Sequence, residues 1–518
     1  MKILSLLLLV ASTATASKDV YSFSSPPSLV LDLRGGAARN LKKGAPTTTA
    51  LKKKAPQQQP QAVSGGTATI SNEIFNLVKG IVGVGVLSLP AGIAAFGNGK
   101  SAVVPALALI IIMGSLSGYG FAIIGKVCAY TGATSYREAW NRSVSPQTGW
   151  ITAWSATLMT SMACLAYSMV LADTFSSLLG STERTKILLA MTTVILLPLC
   201  WMKSLASLAP FSLLGVIGMA FTGLAMLVKY LDGSYSGPVE GTLLETVAEN
   251  LRPSFGSDGW ESVFTPQSLI LVCMLSTAFM AHFNAPKFYL ELQNNTLKRY
   301  NTVVATSFGI SIMLMVGIAA VGFLTFGGSC SGLVLNNYSS QDVWMSTSRI
   351  AVAISLVFSY PLAFQGCRDG VLDILKVSEE NKTKDSVLNL TTVCVLSTIT
   401  LLAATLTDVS FVLAFGGGTL CYAMLRSKNV YLGVNSVNVR TFLHNSHTRI
   451  CSTLRFINNN PTATLGNALT YVFPAIMYSS VVKKQNLKGE GVGVLIANLS
   501  AVLGLVMGAT GAKMALQK

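Results

Sequence analysis

The stretch "NLVKGIVGVGVLSLPAG", residues 76–92, is apolar enough to span a membrane, yet it contains a lysine, four glycines and a proline. Irregular backbone at membrane depth is tolerated only where it is buried in protein or lines a cavity, and an ionisable residue there indicates a functional site. A discontinuous helix meets both demands, since its freed N–H groups, carbonyls and half-helix dipole can bind charged groups. The alternative is a kinked helix whose glycines serve close packing alone.

The composition of the whole chain places that stretch in a membrane. Of 518 residues, 51% are hydrophobic and 11% are charged, and the mean hydropathy is +0.56, whereas a soluble chain has about a quarter charged residues. Apolar runs of about 20 residues recur along the chain, which is the length of a membrane-spanning helix. Because these runs do not alternate with polar residues, a β-barrel is excluded. The sequence predicts an all-α polytopic membrane protein in contact with the lipid bilayer.

The first 69 residues differ in composition from the rest. Residues 1–17, "MKILSLLLLVASTATAS", have the lysine, short apolar core and small-residue end of a secretory signal peptide. Residues 18–69 hold eight Lys or Arg against two Asp, which predicts a disordered basic segment. That segment is either a solvated tail or part of a bipartite organelle-targeting leader. Residues 70–515 form the predicted transmembrane domain.

Charge and cysteine usage exclude several classes of protein. The formal charge of +16 lies largely in the basic segment and in loops, where attraction to anionic lipid accounts for it, so no nucleic-acid partner is expected. The Lys and Arg bias of the loops places the N-terminus in the cytosol. Nine cysteines lack metal-ligand spacing, so neither a disulfide framework, a metal site nor a cofactor is expected. No catalytic cluster of His, Asp, Glu or Ser is evident, which argues against an enzyme.

A second interrupted segment supports the discontinuous-helix interpretation. The sixth apolar run ends in "LSTAFMAHFNAPKFYLEL", residues 275–292, where His282, Asn284 and Pro286 break the apolar pattern. Breaks in the first and sixth segments are expected of an inverted five-plus-five repeat, in which both broken helices meet at a central binding site.

Six stretches, in series along the chain, carry a family resemblance. They are "FNLVKGIVGVGVLSLPAGIAAFG", "GYGFAIIGKVCAYTGATSYREAW", "ACLAYSMVLADTF", "LPLCWMKSLASLAPFSLLG", "FMAHFNAPKFYLELQN" and "ISLVFSYPLAFQGCRDGVLDIL". They resemble the amino acid/auxin permease family of the amino acid–polyamine–organocation superfamily, and in particular its vacuolar and proton-assisted branches. The resemblance implies a LeuT-type fold with about eleven transmembrane helices. It also implies secondary active transport of amino acids by alternating access, as a symporter or an antiporter.

The resemblance implies roles for individual residues. Substrate binding would fall to residues at the two breaks and on the third helix, namely Lys79, Gly83, Val84, Gly85, Val86, Tyr167, Phe279 and His282. Ion or proton coupling would fall to Lys79, Asp173, His282 and Ser359. A structural role is the alternative for three of them: an ion pair or backbone contact for Lys79, a packed cavity histidine for His282, and a helix-end partner for Asp173.

Lys79 bears on the coupling ion. It stands where the sodium-coupled branch has an asparagine that serves the ion, and a fixed ammonium there would repel Na⁺. The resemblance therefore favours proton coupling, with sodium coupling as the alternative. Of three histidines in the chain, His282 alone lies in an apolar segment, where it could titrate near neutral pH. A neutral amino acid is the expected substrate, because no second charge is evident beside Lys79. A sensor of the same fold, which binds an amino acid without transporting it, is a further alternative.

The resemblance to the tenth helix is interrupted by residues 418–463. This segment is polar and basic, and joining its flanks restores one continuous helix. It is therefore either a retained intron or a true cytosolic insertion.

Two smaller expectations concern modification and compartment. Asn337, followed by Tyr and Ser, is the N-glycosylation site best placed in an outside loop. A vacuolar or other endomembrane location is favoured, and the plasma membrane and the plastid envelope are alternatives.

Overall fold

The computed structural model describes residues 66–179, 183–202, 209–237, 240, 242–382, 384–406 and 465–515. Within these ranges, the named elements are all helices, joined by turns and two isolated β-bridges. The predicted signal-peptide-like segment, most of the basic segment and residues 418–463 lie outside the described residues. For the part of the chain that is described, the prediction of an all-α polytopic membrane protein is confirmed.

The helices follow one another in the order that the apolar runs predict. They are α1 (Ile70–Ile81), α2 (Leu89–Ala94), α3 (Val103–Thr131), α4 (Tyr136–Ser143), α5 (Gly149–Leu179), α6 (Arg184–Met191), α7 (Ala209–Leu231), α8 (Ser268–Ala278), α9 (Ala285–Glu291), α10 (Leu297–Phe326), α11 (Val343–Ile374), α12 (Asp385–Thr405), α13 (Phe473–Lys484) and α14 (Gly491–Ala515). Helix α6 continues through a π-helical turn, Thr192–Leu196, into Leu197–Cys200, and α13 is preceded by the π-helical turn Ala468–Val472.

Membrane spans can be counted only within the described residues. Seven segments there are long and apolar enough to cross a membrane, and α1 taken with the bent helix behind it makes eight. Helix α14 contributes a shorter apolar stretch, Gly491–Met507. The predicted total of about eleven stays a prediction, because residues 407–464 lie outside the described part.

The outer surface of the bundle is apolar where it would meet lipid. Large aliphatic side chains are exposed along α7, α12 and α14, among them Ile217, Leu224, Leu390, Leu401, Val492, Leu495 and Leu499. A soluble protein rarely exposes so large an apolar surface, whereas hydrocarbon chains solvate it without cost. This surface fits the predicted contact with a lipid bilayer.

Ionic contacts gather the helix ends on one face, which we call the basic face. The ammonium of Lys126 lies 3.1 Å from the Glu490 carboxylate, and Lys287 of α9 forms an ion pair with Asp369 of α11. Arg137 donates to the backbone carbonyl of Asp373 over 2.9 Å. These contacts place Lys126, Arg137 and Lys287 on one face of the bundle. Its orientation to the cytosol stays a prediction.

The start of α1 is attached to the same face by a short backbone joint. The amide of Ala68 donates to Glu291 O, and the amide of Gln293 donates to Ala68 O, each over 2.9 Å. Gly66 permits this approach, because a Cβ atom there would lie 2.4 Å from Glu291 O. The chain entering α1 is thereby fixed to the end of α9.

Helices α3 and α10 are held together by an aromatic cluster. The Tyr300 and Phe121 rings stack with centroids 6.1 Å apart, and the Tyr300 hydroxyl donates to Phe121 O over 3.1 Å. The Tyr300 ring fits because residue 125 is glycine: a Cβ atom there would lie 2.1 Å from ring atom Cε1. The close packing of α3 against α10 therefore depends on the absence of a side chain at Gly125.

We expect Gly125→Ala to destabilise the protein by about 1–3 kcal/mol, because the added methyl overpacks a fully buried ring. The measurement is the thermal unfolding midpoint in detergent. The matched control is Gly309→Ala on α10, where no atom lies within 4 Å of the added Cβ, so its midpoint should stay near wild type. Equal midpoints for both variants would contradict this account of the interface.

Candidate functional site

The first membrane span is broken where the sequence predicts a break. Helix α1 ends at Ile81, a 3₁₀ turn covers Val84–Ser88, and α2 begins at Leu89 with Pro90 in its first turn. The two helical halves are bent by 45°. Proline fits the first turn of a helix because its nitrogen has no hydrogen to leave unpaired. The glycine-rich motif therefore forms a discontinuous helix rather than a kinked one.

The sixth span, Ser268–Glu291, is interrupted as well, without the sharp bend of the first. Helix α8 ends at Ala278, a 3₁₀ turn covers His282–Asn284, and α9 begins at Ala285 with Pro286 in its first turn. Both predicted interruptions, in the first and the sixth span, are thus present, as a LeuT-type arrangement requires.

The two breaks lie against each other. A Cβ atom on Gly85 would sit 3.4 Å from the Cβ of Ala278, at the end of α8. Helix α3 supports the second break, because the Ser117 hydroxyl donates to the freed carbonyl of Phe279 over 3.2 Å. Backbone groups released by unwinding are therefore partly satisfied by a neighbouring helix, as burial in a membrane demands.

Lys79 lies at the end of α1, one turn before the break, with 1% of its surface exposed. Its ammonium donates to the Ser355 hydroxyl over 2.7 Å and to Val82 O over 3.2 Å. The Ser355 hydroxyl in turn donates to Gly215 O over 3.0 Å. No carboxylate among the described residues pairs with this ammonium. Of the two structural alternatives for Lys79, the backbone contact is present and the ion pair is not.

Room for the Lys79 side chain comes from a glycine on α7. A Cβ atom at Gly215 would lie 2.5 Å from Lys79 Cε and 2.7 Å from Cδ. Helices α1, α7 and α11 therefore enclose the ammonium together, and each contributes something different. Helix α1 supplies the charge and a freed carbonyl, α7 supplies space, and α11 supplies the hydroxyl.

Gly83 and Tyr167 form the side of the break that faces α5. A Cβ atom on Gly83 would lie 2.6 Å from the Tyr167 hydroxyl oxygen. Tyr167 is only partly buried, as is Gly85, whereas Val86 is fully buried. Of the backbone predicted to meet the substrate, Gly83 thus lies next to a partly accessible tyrosine, and Gly85 lies against Ala278. The side chain of Val84 lies outside the described part.

The other two residues predicted at the second break are buried among aromatic rings. Phe279 stacks on Phe308 with centroids 6.4 Å apart. His282 is fully buried, its Nε2 lies 3.0 Å from Ser117 O, and its ring contacts Phe121 edge-on at 5.7 Å. The structure therefore packs His282 against α3, the placement that the structural alternative describes, and its role in binding or coupling stays a prediction.

The remaining coupling candidates are divided between two places. Ser359 lies one turn beyond Ser355 on α11 and donates to Ser355 O over 3.2 Å, so it belongs to the Lys79 neighbourhood. Asp173 is not part of that neighbourhood. Its side chain is 50% exposed and accepts a 2.5 Å bond from Arg184 at the start of α6.

Asn337 is placed in the loop between α10 and α11, on the face opposite the basic face. Its side chain is fully buried, and its Nδ2 donates to Ser329 O over 2.8 Å and to Leu251 O over 3.0 Å. This nitrogen is the atom that would carry a glycan. Glycosylation of Asn337 stays a prediction, and a glycan there would replace one of the two N–H donors and so remove at least one of these bonds.

Sequence reasoning missed the two residues that enclose the ammonium, Ser355 and Gly215. Ser355 had a usable signal, because it lies four residues before Ser359 and so shares its helix face. Gly215 had none, since a glycine in a membrane helix is ordinary. The role of Gly215 becomes visible only in the structure, where α7 approaches α1 and the absence of a side chain at residue 215 leaves room for Lys79.

A polytopic helical bundle whose first and sixth spans break against each other has the architecture of a secondary transporter. Comparison with family models assigns the chain more narrowly. The model described as "Transmembrane amino acid transporter protein" matches residues 66–425, which is more than half of the chain. The chain belongs to this family of amino acid transporters.

Individual relatives are distant and carry two kinds of name. Vacuolar amino acid transporter 5 of Schizosaccharomyces pombe is 24% identical over 70% of this chain and 83% of the relative. Sodium-coupled neutral amino acid transporter 7 of Danio rerio is 24% identical over 59% of this chain and 64% of the relative. Among solved structures, MhsT in complex with L-phenylalanine aligns over 88% of this chain and 100% of that one, with 11% identity and a TM-score of 0.48.

We expect Gly83→Ala to lower amino acid uptake about tenfold, the effect of roughly 1.4 kcal/mol, because the methyl lands on the Tyr167 hydroxyl. The clash involves that oxygen at 2.6 Å, while the nearest ring carbon lies 3.4 Å away. The double variant Gly83→Ala/Tyr167→Phe should therefore recover uptake relative to Gly83→Ala alone.

Gly80→Ala is the control for that measurement, since no atom lies within 4 Å of its added Cβ. Initial rates of labelled amino acid uptake into proteoliposomes report the result. If Tyr167→Phe gave no recovery in the Gly83→Ala background, the assignment of this contact to the site would be wrong.

Proposed function

We propose that this chain is a proton-coupled transporter of neutral amino acids, in which the Lys79 ammonium takes the place of a coupling sodium ion. The observation that carries the proposal is the ligand set of that ammonium, a freed backbone carbonyl at the helix break and a serine hydroxyl on α11. Carbonyl and hydroxyl oxygens at a broken helix are the groups that bind a sodium ion in transporters of this architecture.

A fixed ammonium and a sodium ion exclude each other at such a site. Two unit charges about 4 Å apart repel by about 4 kcal/mol at the effective dielectric constant of a protein. The oxygens of Val82 and Ser355 are already engaged by Lys79, and Ser355 is also tied to Gly215. Sodium therefore has neither free ligands nor a favourable potential here, which supports the proton as the driving ion.

The substrate we propose is a neutral amino acid bound between the breaks. Its carboxylate would meet N–H groups at the start of the Val84–Ser88 turn, which have no partner within that turn, and Tyr167 would contact it beside Gly83. Among the described residues, Lys79 is the only charged residue placed at the two breaks, and two of its three donors are engaged by protein oxygens. An acidic or basic side chain would thus find no matching charge, which supports a neutral one.

An endomembrane such as the vacuole is the location we propose. It fits the name of the Schizosaccharomyces pombe relative and the motif around Lys79. The Danio rerio relative is named for sodium coupling, so sodium coupling is the alternative that the experiment has to exclude.

We expect wild-type protein in proteoliposomes to accumulate a labelled neutral amino acid when a proton gradient is imposed, and to ignore a sodium gradient. Lys79→Asn should lose proton-driven accumulation, because it removes the charge and leaves the carbonyl and hydroxyl free. Uptake rates under proton, sodium and no gradient make the comparison. Lys298→Asn, the same change at an exposed lysine on α10, is the matched control and should behave as wild type.

Two outcomes would contradict the proposal. Accumulation driven by sodium alone in wild type would show that Lys79 does not replace the ion. Specific binding without accumulation under either gradient would place the protein among amino acid sensors of the same fold.

A further inference from the structure

Proton coupling requires a group that gains and loses a proton during the cycle. The ionisable candidates from the sequence are poorly placed for this: His282 is packed against α3, and Asp173 is tied to Arg184 at a half-exposed helix end. The Lys79 ammonium is held by Val82 O and the Ser355 hydroxyl. Another buried ionisable group lies in the first turn of α1. This inference rests on the proposed function, since it names the group that would carry the proton.

Glu73 is a fully buried carboxyl group of the described residues whose two oxygens both lack a hydrogen-bond partner. It lies in the first turn of α1, and its surface is 0% exposed. An ionised carboxylate in such a place is expensive, whereas a carboxylic acid is tolerated far better. A surface role is excluded by the burial, and a structural ion pair is excluded by the missing partner.

The groups around Glu73 also oppose a negative charge. Glu291, at the end of α9, is close enough to repel it electrostatically, and Tyr300 of α10 lies in the same neighbourhood. No described lysine, arginine or histidine pairs with Glu73. The charged groups on the helices packed against α1 are engaged elsewhere or exposed: Lys298 is exposed, Arg299 donates to Gln293 O, Lys229 pairs with Asp232, Arg349 donates to Tyr338 O, Arg368 donates to Cys200 O, Asp369 pairs with Lys287, and Asp373 pairs with Lys382.

The backbone joint between the two broken spans lies just before the first turn of α1, which contains Glu73. Ala68, five residues before it, exchanges two hydrogen bonds of 2.9 Å with Glu291 O and the Gln293 amide. Both helices that meet there, α1 and α9, are the halves of the broken spans that end on the basic face. Opening the site to that face requires these halves to separate, which would break the joint and admit water to the carboxyl group.

We propose that Glu73 carries the coupling proton. It is protonated while Ala68 is hydrogen-bonded to Glu291 and Gln293. It releases the proton to water at the basic face when α1 and α9 separate. The balance is one O–H bond broken on the carboxylic acid and one formed on water, with the carboxylate solvated in the open state. The proton is replaced when the site opens to the opposite face: one O–H bond of a hydronium ion in the entering water breaks and one forms on the Glu73 carboxylate. Asn76, between Glu73 and Lys79 at three-residue spacing, continues the buried polar side of α1. High pH at the basic face then favours opening, because it removes the proton that the closed state requires.

The first arm of the test reads the proton directly. Infrared difference spectra of the full-length protein in lipid, taken as the pH is raised, should contain the C=O stretching band of a buried carboxylic acid. That band should be absent in Glu73→Gln and present in Glu291→Gln, the matched change at the neighbouring carboxyl group. A wild-type spectrum without such a band, or a band that Glu73→Gln retains, would overturn the proposal.

The second arm measures transport in proteoliposomes. Glu73→Gln is nearly isosteric and stays neutral, so it should lose accumulation driven by a proton gradient yet retain exchange of labelled for unlabelled amino acid at equal concentrations. That exchange should be independent of pH, whereas wild-type exchange should vary with pH. A merely structural role would lower both activities together and leave the pH profile unchanged. Should Glu73→Gln fail to fold, Glu73→Met provides a second neutral side chain of similar length.

The two proposals fail in different ways. If Glu73→Gln and wild type both accumulate substrate under a proton gradient, the role of Glu73 is wrong and the proposed function stands. If wild type does not accumulate substrate under a proton gradient, the proposed coupling is wrong, and the role of Glu73 falls with it.

Discussion

A charged ammonium held deep in the bundle by two neutral oxygens is the constraint on which the rest of this structure depends. A buried charge without an opposite charge is costly, so the surrounding helices have to supply dipoles in place of a carboxylate. Val82 O can serve because α1 unwinds at that point, and Ser355 can serve because α11 passes alongside. The break frees a carbonyl that the lysine needs, and the lysine supplies a hydrogen-bond donor that the freed carbonyl needs.

The same logic extends to the second break. Its freed Phe279 carbonyl is satisfied by Ser117, and the Ser117 carbonyl in turn meets His282. Each break is thus supported by a continuous helix, α11 for the first and α3 for the second. Such an arrangement lets two irregular segments exist at membrane depth, since the membrane itself offers no hydrogen bonds.

Much of this architecture could be predicted from the sequence because its signals are strong. Long apolar runs define spans, and a cluster of glycine, proline and lysine within one run is costly enough in hydrocarbon to imply a broken helix. The breaks near Gly83 and His282 were predicted for this reason, and the structure contains both. The prolines that signal each break lie in the first turns of α2 and α9, where a missing N–H costs nothing.

What the sequence could not supply was the partners across space. Asp173 was a reasonable candidate for coupling, but nothing in the chain indicated that Arg184 would meet it after the turn. Glu73 was overlooked because a glutamate near the start of a helix is ordinary on electrostatic grounds. Its significance lies in complete burial beside Glu291, which only the packing of α1 against α9 and α10 creates.

Gly215 has a consequence for how such a protein could evolve. The stem of Lys79 occupies the space that any side chain at residue 215 would fill, so the present path of the lysine depends on a glycine at 215. The reverse does not hold, since a shorter residue at 79 would leave Gly215 beside an empty space that a larger side chain could fill. If residue 79 were substituted by a shorter residue and Gly215 were then replaced by a larger one, a lysine at 79 would no longer fit in its present position. Restoring it there would take two substitutions instead of one.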